Sequence, residues 1–226
     1  MIAVFTDIHG CKNEFEKLLK IIESKYCISK YIYLGDIIDR GPDVIGCIYL
    51  IKDQIGEGKD VVLLYGNHEL DARNDQDHFF SIHHVLAEDY DDFRDRFQYC
   101  YKQKIGGKQF YFSHTGIDIE FYNVPEEQTL RWFERMYYAL WDRERFFYGP
   151  KKENIQPNSI HVYGHTPTNF DPTDPIAEPI VIPHKEEPTC VDINIDTGCA
   201  YGGKLTCLLI DEDTGEYIFE AVDFAG

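Results

Sequence analysis

Five short stretches of this 226-residue chain gather side chains that can bind cations or move protons. They are Asp7-Ile8-His9-Gly10, Gly35-Asp36-Ile37-Ile38-Asp39-Arg40-Gly41, Gly66-Asn67-His68-Glu69, a histidine at His114, and Gly164-His165-Thr166. Carboxylate, imidazole and amide oxygen are hard or borderline donors suited to manganese, iron or zinc, and no C-x-x-C pair offers a thiolate alternative. Asp7-x-His9 alone would mean little, because carboxylates and imidazoles often meet at strand ends for ordinary hydrogen bonding. The ordered set argues for two cations in one site. Such a pair lowers the pKa of a shared water toward about 7 and neutralises charge on a tetrahedral oxyanion, which is hydrolytic chemistry.

Donors so far apart in sequence need elements that bring them together. The apolar run Ile2 to Phe5 predicts a strand ending at the first motif, Tyr31 to Leu34 a second ending at Gly35-Asp36, and Val61 to Tyr65 a third ending at Gly66-Asn67. Between them, Phe15, Leu18, Leu19 and Ile22 fall on one helical face behind an Asn13 cap with Glu16 three residues on. Val44, Cys47, Ile48, Ile51 and Ile55 mark a second helix. Steps of roughly 30 residues suit βαβ units whose loops converge on one sheet edge.

Farther along, Phe79, Phe80, Val85, Leu86, Phe93 and Phe97 predict helices outside the main sheet. A strand is expected over Lys108 to Ser113 after Gly106-Gly107, and a helix from about Glu126 to Arg145 burying Leu130, Phe133, Tyr137 and Leu140. Another strand leads to Gly164-His165. The proline-rich span from Pro167 to Pro188 excludes a long helix and predicts an ordered loop with a short strand near Ile180 to Ile182. Val191 to Ile195, Leu205 to Ile210 and Tyr217 to Val222 read as strands, the last two joined through Asp213-Thr214-Gly215.

Composition narrows the class. No linker divides the chain, so one domain over residues 1–226 is expected, and no apolar run approaches the roughly 18 residues of a membrane span. Seven cysteines at irregular spacing and no secretory leader fit a cytoplasmic protein without a disulfide framework. A formal charge of -18, with 40 acids against 22 Lys and Arg, speaks against a nucleic-acid partner. Phosphorylated substrates would then need local positive charge, which bound cations and one or two arginines can supply.

D-x-H-G, G-D-x-x-D-R-G, G-N-H-E, a lone histidine and G-H-T, in that order over residues 7 to 166, resemble the calcineurin-like metallophosphoesterases. The full second and third motifs, with Trp141-Asp142-Arg143-Glu144-Arg145 and Ile195-Asp196-Thr197-Gly198, are similar to the bacterial and phage lambda-type branch of the phosphoprotein phosphatases. The resemblance implies an α/β fold, a four-layer α/β/β/α sandwich with a metal pair at one edge. It implies Asp7, His9 and Asp36 as ligands of the first metal and Asp36, Asn67, His114 and His165 of the second, with manganese favoured and iron or zinc as alternatives. It further implies His68 as general acid oriented by Asp39, and Arg40, Arg143 and Asn67 as contacts to substrate phosphate, Arg145 being able to replace Arg143.

The implied activity is serine/threonine protein phosphatase, with a metal-bridging hydroxide attacking phosphate in line and a phosphorylated protein or peptide as partner. Symmetrical dinucleoside tetraphosphate hydrolases share the scaffold, but they resemble G-D-x-x-A-R-G and G-N-H-D, whereas Asp39 and Glu69 stand here. A noncatalytic phosphopeptide-binding scaffold would have lost His68, Asp39 or a ligand. His114-Thr115-Gly116 departs from the usual His-Ala-Gly or His-Gly-Gly while keeping the histidine. His78, His83, His84, His161 and His184 match no motif and read as hydrogen-bonding residues, Arg73 as a surface ion pair in preference to a phosphate contact, and Asp196 as a buttress of the site or an outer partner of a ligating histidine.

Overall fold

The computed structural model describes residues 1–75, 90, 93–123, 140–168 and 177–225. Its strands are β1 (Ile2–Phe5), β2 (Lys30–Tyr33), β3 (Asp60–Leu64), β4 (Phe97–Gln98), β5 (Cys100–Ile105), β6 (Lys108–Ser113), β7 (Ser159–Tyr163), β8 (Ile180–Pro183), β9 (Val191–Asn194), β10 (Lys204–Ile210) and β11 (Tyr217–Asp223). They form a six-stranded sheet in the order β11-β10-β1-β2-β3-β4 and a five-stranded sheet in the order β5-β6-β7-β9-β8. β1, β2 and β3 run parallel, as do β6, β7 and β9, so each sheet sends the carboxyl ends of three strands to one edge.

Period-two alternation explains how the sheets stack. On β1, Ile2 and Val4 face the second sheet, where they meet Phe110 and Phe112 of β6, Ile160 and Val162 of β7, and Ile193 of β9. Ala3 and Phe5 point the other way, into a core shared with α1 (Lys12–Lys25) and α2 (Val44–Gly56). The predicted faces of both helices are buried there: Phe15, Leu18, Leu19 and Ile22 on α1, and Val44, Cys47, Ile48 and Ile51 on α2. Each such side chain contributes on the order of 1.5–3 kcal/mol of transfer free energy.

The outward face of the second sheet is polar by the same alternation. It carries Tyr111, His161 and Asp192, against which Tyr122 and the five-residue helix α4 (Glu144–Tyr148) pack. The architecture is α/β with two facing sheets and is consistent with the expected sandwich.

Some local expectations give way. α1 begins at Lys12 with Cys11 as its flanking residue and no side-chain cap, because Gly10, at φ 64, turns the chain directly into the helix and leaves Asn13 inside the first turn. α2 is capped by Asp43, whose carboxylate accepts from Gly46 N at 2.8 Å. Phe97 lies in β4, parallel to β3, with its ring against Tyr65, and not in an outer helix. Cys100–Ile105 is a full strand, hairpinned to β6 through Gly106-Gly107 at φ 54 and 82. The expected helix from Glu126 falls outside the described residues up to 139. Its expected end does not continue to Arg145, because the Asp142 carboxylate accepts from Glu144 N at 2.7 Å and starts α4 afresh. Phe79, Phe80, Val85, Leu86, Leu130, Phe133 and Tyr137, with His78, His83 and His84, also lie outside the described residues. No helix among the described residues is long and apolar enough to cross a membrane.

Candidate functional site

Every one of the six expected ligands sits just beyond a strand, five in loops and Asn67 at the start of a helix. Asp7 and His9 follow β1, Asp36 follows β2, Asn67 opens α3 (Asn67–Asn74) after β3, His114 follows β6 and His165 follows β7. The loops are laced together by backbone hydrogen bonds: Asp7 N to Gly35 O, His9 N to Asp36 O and Gly10 N to Ile37 O, at 2.9–3.1 Å. Gly164 N donates to His114 O at 2.8 Å, which ties the two loops of the second sheet in the same way.

The Asp36 carboxylate is the common corner. Its Oδ2 lies 3.5 Å from His9 Nε2 and 3.4 Å from His114 Nε2, while Oδ1 accepts from His68 N at 3.0 Å. His114 Nε2 is 3.1 Å from His165 Nδ1 and 3.2 Å from Asn67 Oδ1. Asp7 Oδ2 accepts from Thr6 Oγ1 and His165 N, which leaves Oδ1 toward His9 Nε2 at 3.8 Å. His9 Nδ1 donates to Ile38 O at 2.9 Å and His114 Nδ1 to Leu34 O at 3.0 Å, so in both rings Nε2 is the nitrogen left to face a cation once it is free of its proton. Two imidazole nitrogens 3.1 Å apart, with a carboxylate and an amide oxygen beside them, form a donor set that a divalent cation would satisfy.

Charge follows from this crowding. Burial lowers the pKa of His9, and burial with His114 and Arg143 nearby lowers that of His165 to about 2, so both rings are neutral as ligation requires. Burial opposes charge on Asp36 and His114 too, but their mutual attraction outweighs it. Asp36 is held well below the usual carboxylate range and His114 is pushed up to about 9, an ion pair that a cation would displace.

Beside these groups, His68 Nδ1 lies 2.6 Å from the Asp39 carboxylate and its ring meets His9 edge to face at 4.9 Å. Burial disfavours the imidazolium, yet the Asp39 bond and Asp36 raise its pKa. His9, Asp36 and His68 are close enough to form one possible cation group, as are Asp36, His114 and His165. His68 Nε2 is nevertheless turned toward Arg40, 2.9 Å from its Nη2, which is a poor aim for a nitrogen that is to bind a cation. Arg143 donates to His165 O and Thr166 Oγ1 at 3.0 and 2.8 Å, which keeps its guanidinium beside the His165 loop. Arg145 does not share that position. It is buried, with Nε and Nη2 on the two oxygens of Asp192 at 3.0 and 2.6 Å, so the choice the sequence left between the two arginines falls to Arg143.

Backbone geometry marks the same place. Among the described residues, the non-glycine positions with positive φ are Asp7, His9, Asp36, Asp39, Arg40, Asn158 and His165, and all but Asn158 belong to the site. Left-handed backbone is costly outside glycine and persists where surrounding structure enforces it, as at functional sites. The motif glycines are explained by contact: a Cβ on Gly66 would stand 2.1 Å from Asp36 Oδ1, and one on Gly164 2.3 Å from Asp7 Oδ2.

Glu69 has a role that sequence reasoning missed. It is 0% exposed, and its carboxylate accepts from Gly66 N, Asp36 N and Ile37 N at 2.7–2.9 Å, pinning the Asp36 loop to the start of α3. Burial and the Asp36 charge outweigh these bonds and push its pKa up to about 7. The available signal was its place three residues after Gly66, where a glutamate reaches back to the residue before the helix. Asp196 is buried behind the site, where its carboxylate accepts from Gly198 N at 3.0 Å. Arg73 donates to Tyr65 Oη at 3.0 Å and lies over that ring. His161 is buried and stacked on Tyr111, without a hydrogen-bond partner among the described residues, and His184 Nε2 stands 3.5 Å from Asp192.

Comparison with known proteins places this arrangement among relatives. The family model for calcineurin-like phosphoesterases matches residues 1–192. An asymmetrical bis(5'-nucleosyl)-tetraphosphatase of Oceanobacillus iheyensis is 26% identical, over 93% of this chain and 89% of its own. Serine/threonine-protein phosphatase 1 of Salmonella typhimurium is also 26% identical, over 91% and 89%. Among solved structures, a cold-active protein-tyrosine phosphatase of a Shewanella species superposes with a TM-score of 0.62 at 17% identity, over 99% of this chain and 80% of its own, which is a likeness of fold.

Proposed function

The chain belongs to the calcineurin-like phosphoesterase family, and from that premise we propose that it hydrolyses phosphate monoesters, acting on phosphorylated proteins or peptides as a serine/threonine phosphatase. The observation that carries this reading is the 2.6 Å Asp39–His68 pair standing beside Asp36, the corner of both ligand groups. In it, Asp7, His9 and Asp36 would hold one divalent cation and Asp36, Asn67, His114 and His165 another, manganese being well suited to the mixed donors. Two such ions supply an activated water and neutralise phosphoryl charge.

The protein's own groups do the rest. Arg40 and Arg143 offer forked donors to the phosphoryl oxygens, joined by the Asn67 amide. Asp39 accepts from His68 Nδ1, which stabilises the imidazolium and aims Nε2 at the departing oxygen. As phosphate leaves Arg40 a better acceptor, His68 Nε2 is released to carry the proton that the leaving alkoxide needs.

Dinucleoside polyphosphate hydrolysis is a second reading, favoured by the Oceanobacillus relative, which is described as asymmetrical where sequence comparison suggested a symmetrical enzyme. Asp39 and Glu69 count against the symmetrical form of it, whose pattern has alanine and aspartate at those places. A manganese-loaded panel of phosphoserine, phosphothreonine and phosphotyrosine peptides against diadenosine tetraphosphate tests the choice. The expected result is kcat/KM at least about tenfold higher for phosphoserine or phosphothreonine peptides. Preferred cleavage of the dinucleotide to ATP and AMP would replace the reading with the asymmetrical one, and to two ADP with the symmetrical one. Phosphopeptide binding without phosphate release would mean a scaffold.

A further inference from the structure

Tyr201 is 57% exposed, although Cys199, two residues before it, is buried in the core. It ends a 3-10 turn, Cys199–Tyr201, held between Gly198 at φ 69 and Gly202 at φ 85. Cys199 is buried in the core between the first sheet and its helices, and Tyr201 N and Gly203 N both donate to Gly198 O at 3.0 Å. The turn is therefore fixed, and it presents the ring to the Arg40 guanidinium.

There it meets Arg40 in two ways. Arg40 Nη1 donates to the Tyr201 hydroxyl, and the guanidinium carbon lies 5.2 Å from the ring centroid. The opposite corner of the same guanidinium, Nη2, reaches His68 Nε2 at 2.9 Å. Arg40 and Asp39 are both left-handed, at φ 66 and 67, so the backbone also commits this arginine to the site. An arginine left free on a surface would lose rotamer freedom each time it closed on an anion, whereas one already ordered binds more tightly.

We propose that Tyr201 is a positioning residue for phosphate binding, holding the Arg40 guanidinium over the site so that its remaining donors close on the phosphoryl oxygens. The proposal rests on the phosphoesterase reading above. Its two contacts are separable: Tyr201→Phe removes the hydroxyl and keeps the ring, and Tyr201→Leu removes both. Each is a surface change that leaves the buried Cys199 anchor in place.

The test is the affinity of the manganese-loaded protein for inorganic phosphate, read by calorimetry and by competitive inhibition of aryl phosphate hydrolysis. The expected result is about 3- to 10-fold weaker phosphate binding in Tyr201→Phe and about 10- to 30-fold in Tyr201→Leu. KM should rise in step while kcat stays within about twofold and manganese content is unchanged. In an Arg40→Ala background, Tyr201→Phe should have no further effect. Unchanged phosphate affinity in both variants, or an undiminished effect of Tyr201→Phe without Arg40, would overturn the proposal. A wild-type protein that binds no phosphate would instead sink the phosphoesterase reading, and the role of Tyr201 with it.

Discussion

The Asp39 carboxylate lies 2.6 Å from His68 Nδ1, and the same imidazole has its Nε2 4.0 Å from Asp36 Oδ2. One ring nitrogen is thereby fixed as a donor while the other, 2.9 Å from Arg40 Nη2, only borders the place where the candidate ligand groups meet. Distance alone would let His68 join the ligands. Its orientation toward Asp39 and Arg40 is what the proposed role in proton transfer rests on.

Replacement of His68 by Asn should therefore lower kcat by about 100-fold or more on alkyl phosphates, which have poor leaving groups, and far less on p-nitrophenyl phosphate. Asp39→Asn should move in the same direction by a smaller factor. Metal content should match the wild type. Equal losses across a series of leaving-group pKa values, or loss of bound metal, would make His68 a ligand and not an acid.

Arg143 and Arg145 should separate cleanly. Arg143→Ala is expected to raise KM for phosphorylated substrates about tenfold or more with little change in unfolding midpoint. Arg145→Ala leaves Asp192 buried without its partner and should cost about 3–5 kcal/mol of stability in urea unfolding. The reverse pattern would show that the two arginines have exchanged roles.

Stability should also carry a signature of His161, which is buried on the outward face of β7. Burial, helped by Arg145 and His184, lowers its pKa from 6.5 to about 2, so its contribution is complete above about 6.5 and is lost as pH falls toward 2. Between pH 7 and pH 5 the unfolding free energy should drop by about 2 kcal/mol on its account. His161→Phe keeps the stack on Tyr111 and should flatten the acid limb by that amount. An identical acid limb in the variant would mean that His161 is protonated without penalty.

The candidate ligands were legible in sequence because each is local to a strand end, and the side chains of the runs before them alternate between faces, as with Ile2 and Val4 on one and Ala3 and Phe5 on the other. What the sequence hid depends on contacts between distant segments. Nothing local distinguishes Arg143 from Arg145, since only the arrival of Asp192 from β9 takes one of them into the interior. The Cys100–Ile105 strand was obscured by lysines on its exposed side, and Tyr201 gains its meaning from Arg40 across the site. Asn13 misled because a cap needs the chain to enter the helix at that residue, and Gly10 had already turned it.

The proline-rich span holds β8, which pairs with β9 through Ile180–Pro183, so a linker exchange must spare that strand. Residues 169–176 lie outside the described residues. They follow Thr168, whose N donates to Asp196 O at 2.8 Å behind the site. Exchanging only 169–176 for Gly/Ser should leave aryl phosphate hydrolysis within about twofold and lower kcat/KM for phosphopeptides about tenfold. Parallel losses on both substrates, or none, would show that the segment does not govern specificity.

The central claim is that the loops of both sheets build one hydrolytic centre around two divalent cations. Elemental analysis and turnover of an aryl phosphate, measured on the same samples through chelation and metal return, test it most directly. Activity should fall to background as metal is exhausted, and manganese should restore it more fully than magnesium, approaching two equivalents per chain at full rate. Undiminished turnover by protein shown to be free of metal would contradict the account.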